Sequence, residues 1–215
     1  HVPYSGIPGG DFIDYFRLND SNLAIVMGDV MGKKWGAWYF AFAYAGYIRS
    51  SLRSVFESVD DFLPAKILEK VNRSVYNDAK ISEVFATISI LVLNNNNKSA
   101  HYSGAGDLPI LYKDAANNKV LKIQSDGALL GFSEQSKFFD YTIKLNSNDQ
   151  IILCTDGVIE SRNNSKEQFG TSKLIHLLNG NSSKPVPMEF IKQELSKFTA
   201  DRFEDDVSLI SVMVK

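Results

Sequence analysis

The feature that most constrains this chain is a succession of short apolar runs with period-two character, separated by turn clusters at roughly 8–12-residue spacing. Residues 12–17 and 23–28 read as two strands joined by the turn Asn19-Asp20-Ser21-Asn22. The longest run, 85–93, stops at four consecutive asparagines, 94–97. Further runs follow at 99–102, 109–112, 119–124, 138–144 and 150–154, and 207–214 closes the series. Two helical stretches interrupt it early, at 34–58 and 64–79. The second carries Ile67, Leu68, Val71 and Val75 at helical spacing behind Pro64 in the first turn. Two more helices are predicted at 171–178 and 187–198. This order predicts an α+β fold, a β-sandwich of two mainly antiparallel sheets flanked by helices.

Composition narrows the function. The 215 residues suit a single domain, and 44% hydrophobic against 22% charged residues are enough for a proper core. Lys and Arg number 23 against 25 Asp and Glu, without a basic block, which argues against a nucleic-acid partner held by its phosphates. One cysteine and three histidines exclude a disulfide framework and an ordinary Cys/His zinc site, so a metal here needs oxygen ligands. No segment reads as a signal peptide. The uncharged run 35–48 has 14 residues, too short to span a bilayer, so a cytoplasmic chain without membrane contact is expected. That run holds Trp35, Trp38, Tyr39, Phe40, Phe42, Tyr44 and Tyr47. A helix apolar all round is either sandwiched between a sheet and a neighbouring helix or serves as a homodimer or partner surface.

Four acidic positions share one context, beside a strand and next to small residues. They are Asp11 after Gly9-Gly10, Asp29 in Gly28-Asp29-Val30-Met31-Gly32, Asp156 in Thr155-Asp156-Gly157, and the pair Asp205-Asp206 before the last strand. An Asp at a strand end projects from a rigid platform, and flanking glycine lets backbone approach a ligand closely. Carboxylates converging from remote segments repel one another unless cations neutralise them, and hard oxygen donors select magnesium or manganese. Two such ions, roughly 3.5–4 Å apart, activate water for in-line displacement at phosphorus. Taken singly, each Asp also reads as a turn or cap residue.

In order and context these motifs resemble the bacterial branch of the metal-dependent protein phosphatases of the 2C class, within it the sporulation stage II protein E and sigma-regulator phosphatase group. The resemblance is carried by Gly9-Gly10-Asp11-Phe12, Gly28-Asp29-Val30-Met31-Gly32-Lys33 and Thr155-Asp156-Gly157-Val158-Ile159-Glu160 with Phe169-Gly170. Asp205-Asp206-Val207-Ser208-Leu209 and the turn Gly127-Ala128-Leu129-Leu130-Gly131 complete it. It implies a two-metal centre of Mn2+ or Mg2+. Asp29 would bridge the ions and the Val30 carbonyl would complete one of them. Asp156 and Asp205 would hold the other, and Asp11 would bind directly or through water. Register leaves Asp206 as the alternative to Asp205. Ala105-Gly106-Asp107-Leu108-Pro109 resembles the Gly-Asp-Ser-Arg motif of the wider family, which makes Asp107 a candidate for a third ion, with a turn role as the alternative.

The chain also departs from the pattern. Where the group has Gly-Lys-Gly, Lys34 and Trp35 follow Lys33 before Gly36-Ala37, leaving phosphate binding by Lys33 or Lys34 beside a merely solvated helix start. Met31 stands where the wider family has a histidine, and His1, His101 and His176 lie in no motif. Cys154, inside an apolar strand, reads as a core residue. The resemblance implies a serine/threonine phosphatase in which a metal-bound hydroxide attacks phosphorus directly. Its substrate would be a phosphorylated anti-sigma antagonist protein. The short stretch before Asp11 suggests a catalytic domain cut from a longer protein with an upstream sensor. The alternatives are a catalytically silent module acting by dimerisation or partner binding, and a two-metal hydrolase of nucleotides or small phosphoesters.

Overall fold

The computed structural model describes His1 and residues 10–31, 37–82 and 84–215, the side chains at 37–40 and 80–82 excepted. The readings placed on Gly9, Gly32, Lys33, Lys34, Trp35 and the side chains of Trp38, Tyr39 and Phe40 therefore lie outside the described residues. By packing, the described residues group into two compact units, 10–107 with 124–144, and 108–123 with 145–215.

The first unit is built on an antiparallel sheet of β1 (Phe12–Arg17), β2 (Asn22–Met31), β3 (Phe85–Asn94), β4 (Ser99–Ala105) and β7 (Tyr141–Lys144), in the order β1-β2-β3-β4-β7. Alternation along the strands assigns Phe12, Ala24, Val26, Val30, Ala86, Ile88 and Ile90 to one face, where all are buried in one core with the helices. Those helices are α1 (Ala37–Glu57) and α2 (Pro64–Ser82). Ile67, Leu68, Val71 and Val75 on α2 are wholly buried, and each is worth roughly 1.5–3 kcal/mol of apolar burial. The first free N–H of α2 is capped from a distance: Ala65 N donates to Asp140 Oδ1 at 2.8 Å. Asp140 is thereby drawn out of the sheet, and the strand expected at 138–144 begins only at Tyr141.

From Ala41 onward, α1 is not buried on every side. Ala41, Tyr44, Ala45, Ile48, Leu52 and Phe56 form a buried stripe, whereas Phe42, Ala43, Gly46, Tyr47, Arg49 and Ser50 are exposed. The helix is amphipathic. Its exposed residues between 41 and 48 are Phe42, Ala43, Gly46 and Tyr47, which are small or aromatic and carry no charge.

The second unit carries an antiparallel sheet of β5 (Ile110–Asp114), β6 (Lys119–Ile123), β8 (Gln150–Cys154) and β9 (Leu209–Met213), ordered β6-β5-β8-β9. A short helix the sequence pattern did not reveal, α3 (Asp156–Ile159), follows β8, and α4 (Gly170–Gly180) and α5 (Met188–Thr199) come next. Leu111, Val120 and Ile152 pack with Val158, Leu174, Leu178, Ile191 and Leu195 in its core. The buried Lys113 is satisfied at the C-terminal end of α4, donating to the carbonyls of Leu178 at 2.5 Å and Asn181 at 3.0 Å. Two antiparallel sheets with helices are the α+β class the sequence predicts.

Candidate active site

The carboxylates singled out in the sequence form two pairs, one in each unit. In the first, β1 meets β2 with Phe12 opposite Gly28, so the register carried back one residue sets Asp11 opposite Asp29. Asp29 falls on the sheet face away from Phe12. Asp29 was expected at a strand end; it lies inside β2, because β3 supplies partners as far as Met31, which faces Phe85.

Two glycines permit this arrangement. A Cβ on Gly28 would stand 2.5 Å from the Phe12 ring, so the ring lies directly against the backbone at position 28. A Cβ on Gly10 would meet the Val30 carbonyl oxygen at 2.4 Å and Asp29 Oδ1 at 2.5 Å. Gly10 is held there by its own carbonyl, which accepts from Val30 N at 3.2 Å. The missing side chain thus leaves a carbonyl and a carboxylate oxygen open to one small space. That donor chemistry fits a hard divalent cation.

In the second unit, Thr155 is stitched to the final segment. Its N–H donates to the Ser208 carbonyl at 3.0 Å, and its Oγ1 accepts from Ser208 N at 3.1 Å. A Cβ on Gly157 would lie 1.8 Å from the Asp206 carbonyl oxygen, so only glycine lets α3 start against residues 205–208. The result brings Asp156 within electrostatic reach of Asp205. Both residues are exposed, whereas Asp206 is buried. Partial burial of the carboxyl raises the Asp156 pKa, and the Glu160 charge adds to this against the Gly157 N–H. Asp205 is raised by burial and by the charges of Asp156 and Asp206, against a 2.7 Å hydrogen bond from Asp206 N. Two carboxylates placed this way repel each other, and their oxygens are the donor type a hard divalent cation takes. Among the described residues, no three His, Cys, Asp or Glu side chains gather tightly enough to hold an ion.

The family is decided by comparison. The stage II sporulation protein E (SpoIIE) model matches residues 19–215. The chain belongs to the SpoIIE family. It is 30% identical over 225 residues to protein IcfG of Synechocystis sp., covering 94% of this chain and 35% of that one. It is 26% identical to phosphoserine phosphatase RsbU of Bacillus subtilis, covering 94% and 58%. The chain therefore spans between a third and somewhat over half of these relatives. Its fold is that of the 2C-type phosphatases. The SiaA-PP2C domain of Pseudomonas aeruginosa superposes with a TM-score of 0.84 at 16% identity, covering all of this chain and 84% of that one.

Asp107, which resembles the wider family's motif for a third ion, follows β4. Its Oδ2 accepts from Ser89 Oγ and, at 2.6 Å, from Tyr102 OH, and its Oδ1 is buried with no hydrogen-bond partner among the described residues. The carboxyl is folded back over β4: a Cβ on Gly104 would lie 1.8 Å from Oδ1. Burial pushes its pKa up to about 6 in spite of those two donors. Cys154 has its thiol pushed up to about 12 by burial and then by Asp156, which disfavours the thiolate that a nucleophile needs. The sequence reading missed Gly10 as the opening beside Asp29 and the Thr155–Ser208 stitch. Both stood inside the quoted motifs, and only the packing shows what they do.

Proposed function

We propose that this chain is a Mn2+- or Mg2+-dependent phosphatase of phosphoserine or phosphothreonine in a protein. By the family resemblance, the ligands would be Asp11, Asp29, the Val30 carbonyl, Asp156 and Asp205. The observation that carries the reading is the opening at Gly10, where the Val30 carbonyl and the Asp29 carboxylate face a space that any side chain would fill. Exposure of Asp205, its response to Asp156 and burial of Asp206 support Asp205 as the ligand. Bound there, divalent ions would neutralise phosphoryl oxygens and supply an activated water for direct displacement.

The chain's own part is to hold five oxygen donors on rigid elements: Asp29 and the Val30 carbonyl on β2, Asp11 just before β1, Asp156 at the start of α3, and Asp205 on the segment stitched to it. A third ion at Asp107 would rest on its one unpartnered oxygen, since Ser89 and Tyr102 occupy the other. The name of the RsbU relative, a phosphoserine phosphatase, supports phosphoserine as the target. An anti-sigma antagonist protein is the substrate we infer, in the cytoplasm, from the family resemblance.

The test is hydrolysis of p-nitrophenyl phosphate and a phosphoserine peptide with and without Mn2+, using Asp156→Asn as control. Turnover that needs Mn2+ and falls at least about a hundredfold in the variant is expected, since loss of even outer-shell support costs ten- to a hundredfold. Neither turnover nor Mn2+ binding would overturn the reading in favour of a silent binding or dimerisation module.

A further inference from the structure

The turn 129–132 is clamped more firmly than a surface turn requires. Asn72, wholly buried on α2, spends its side-chain amide there: its Oδ1 accepts from Gly131 N at 2.8 Å and its Nδ2 donates to the Ser133 carbonyl at 2.8 Å. Leu130 pairs with Ala86 at the start of β3 through hydrogen bonds of 2.9 and 3.3 Å, and Gly131 sits at φ +84°. Yet the residue this clamp presents is Phe132, 64% exposed, its ring 6.2 Å from that of Phe85. Phe85 lies opposite Met31, itself 39% exposed, at the end of β2. A phenylalanine fixed outward by a buried polar side chain is not an accident of a loose loop.

This apolar step is continuous with the candidate site. Met31 and Asp29 share a sheet face two residues apart, as do Phe85 and Thr87 on the neighbouring strand, with Thr87 opposite Asp29. Two residues of strand cover roughly 7 Å, the distance an extended peptide also covers in two residues. We propose that Phe132, Phe85 and Met31 are the specificity surface for the phosphorylated segment, receiving an apolar side chain within about two residues of the phosphoserine. This rests on the phosphatase reading above. It also gives a role to Met31, which the metal ligands leave unused.

The probes are p-nitrophenyl phosphate and two phosphoserine peptides, one with leucine two residues from the phosphoserine and one with serine there. The wild-type protein is expected to prefer the leucine peptide by about tenfold in kcat/KM, expressed in KM, the scale of one buried apolar side chain. Phe132→Ala is expected to erase that preference and Phe132→Leu to retain most of it. Phe139→Ala, an exposed ring outside the surface, should keep it in full. Affinity of the same peptides for the Asp156→Asn protein, read by fluorescence anisotropy, should follow the same order without turnover. Mn2+-dependent hydrolysis of p-nitrophenyl phosphate with no preference between peptides, or a preference that survives Phe132→Ala, overturns the proposal while leaving the phosphatase reading intact. Absence of Mn2+-dependent turnover on every probe removes both. A dimer in light scattering that Phe132→Ala dissociates would assign the surface to a second copy and overturn the docking.

Discussion

Strand β8 has an aspartate just before it and another just after it, and their surroundings are opposite. Asp149 is wholly buried. Its carboxylate accepts from Tyr112 OH at 2.6 Å, Ala115 N at 2.9 Å and Asn146 N at 2.7 Å. Asp156 is exposed, and its carboxyl is held above the ordinary range by partial burial and by Glu160. The protein has supplied the first with donors and has set the second among like charges. A carboxylate with a full set of donors has its partners already and serves the fold. One left partly buried beside other carboxylates is costly to keep ionised, and under the proposed function a cation would offset that cost.

The sharpest way to break this comparison is to exchange the consequences. Asp149→Ala leaves two backbone N–H groups and a tyrosine hydroxyl without their acceptor. It is expected to cost about 3 kcal/mol, a fall in Tm of about 6–12 °C for a chain of this size. Below that transition, Mn2+-dependent turnover per folded molecule should match wild type. Asp156→Asn should do the reverse, losing turnover while the metal-free Tm does not fall. Calorimetry beside a p-nitrophenyl phosphate assay decides it. If both variants lose stability and keep turnover, the distinction drawn at β8 is wrong.

How much of this was legible beforehand depends on what fixed each feature. The strands and the α2 stripe follow from local periodicity, so Val71 and Val75 were readable as core and are wholly buried. The Asp motifs were readable through their order along the chain. Three things were not. The amphipathic character of α1 was hidden, because an outer face of Phe42, Ala43, Gly46 and Tyr47 carries no charge to mark it as exposed. Asp149 passed unnoticed because its partners lie up to 37 residues away in sequence, and no local pattern announces them. The two-unit grouping depends on which distant segments pack together, as residues 108–123 do with 145–215. Gly10 sat in full view as a glycine beside an aspartate. What it leaves open depends on Val30 and Asp29 of another strand.

Gly10 extends the comparison to the other unit. If the opening beside Asp29 is functional in the way Asp156 is, Gly10→Ala should act on ion binding more than on the fold. A methyl group 2.4 Å from the Val30 carbonyl oxygen and 2.5 Å from Asp29 Oδ1 must displace one of them. The expected result is an Mn2+ dissociation constant raised about ten- to a hundredfold by titration calorimetry, the cost typical of disturbing a metal site's surroundings. An affinity within twofold of wild type would class Gly10 with the structural residues.

The smallest effect concerns pH and isolates the like-charge crowding itself. Asp156 and Asp205 both bind protons more tightly in the folded chain than at the ordinary aspartate value of 3.8. The penalty of keeping them ionised is therefore present in full above their raised values. It is relieved as pH falls through those values and is gone below 3.8, where the unfolded chain is protonated too, so in this window acid favours the metal-free fold. Ion binding runs the other way, because a protonated carboxyl cannot ligate: Mn2+ affinity should begin to fall at a higher pH than an ordinary aspartate would impose. Glu160 contributes to the shift of Asp156 by charge alone and is not among the proposed ligands. Glu160→Gln should lower the Asp156 value and move the acid limb of Mn2+ binding downward by a fraction of a pH unit, with affinity at pH 8 unchanged. Calorimetric titrations from pH 5 to 8 on both proteins measure it. An acid limb that stays in place would mean that Glu160 has no hold on Asp156, and burial alone would then account for the contrast between the two ends of β8.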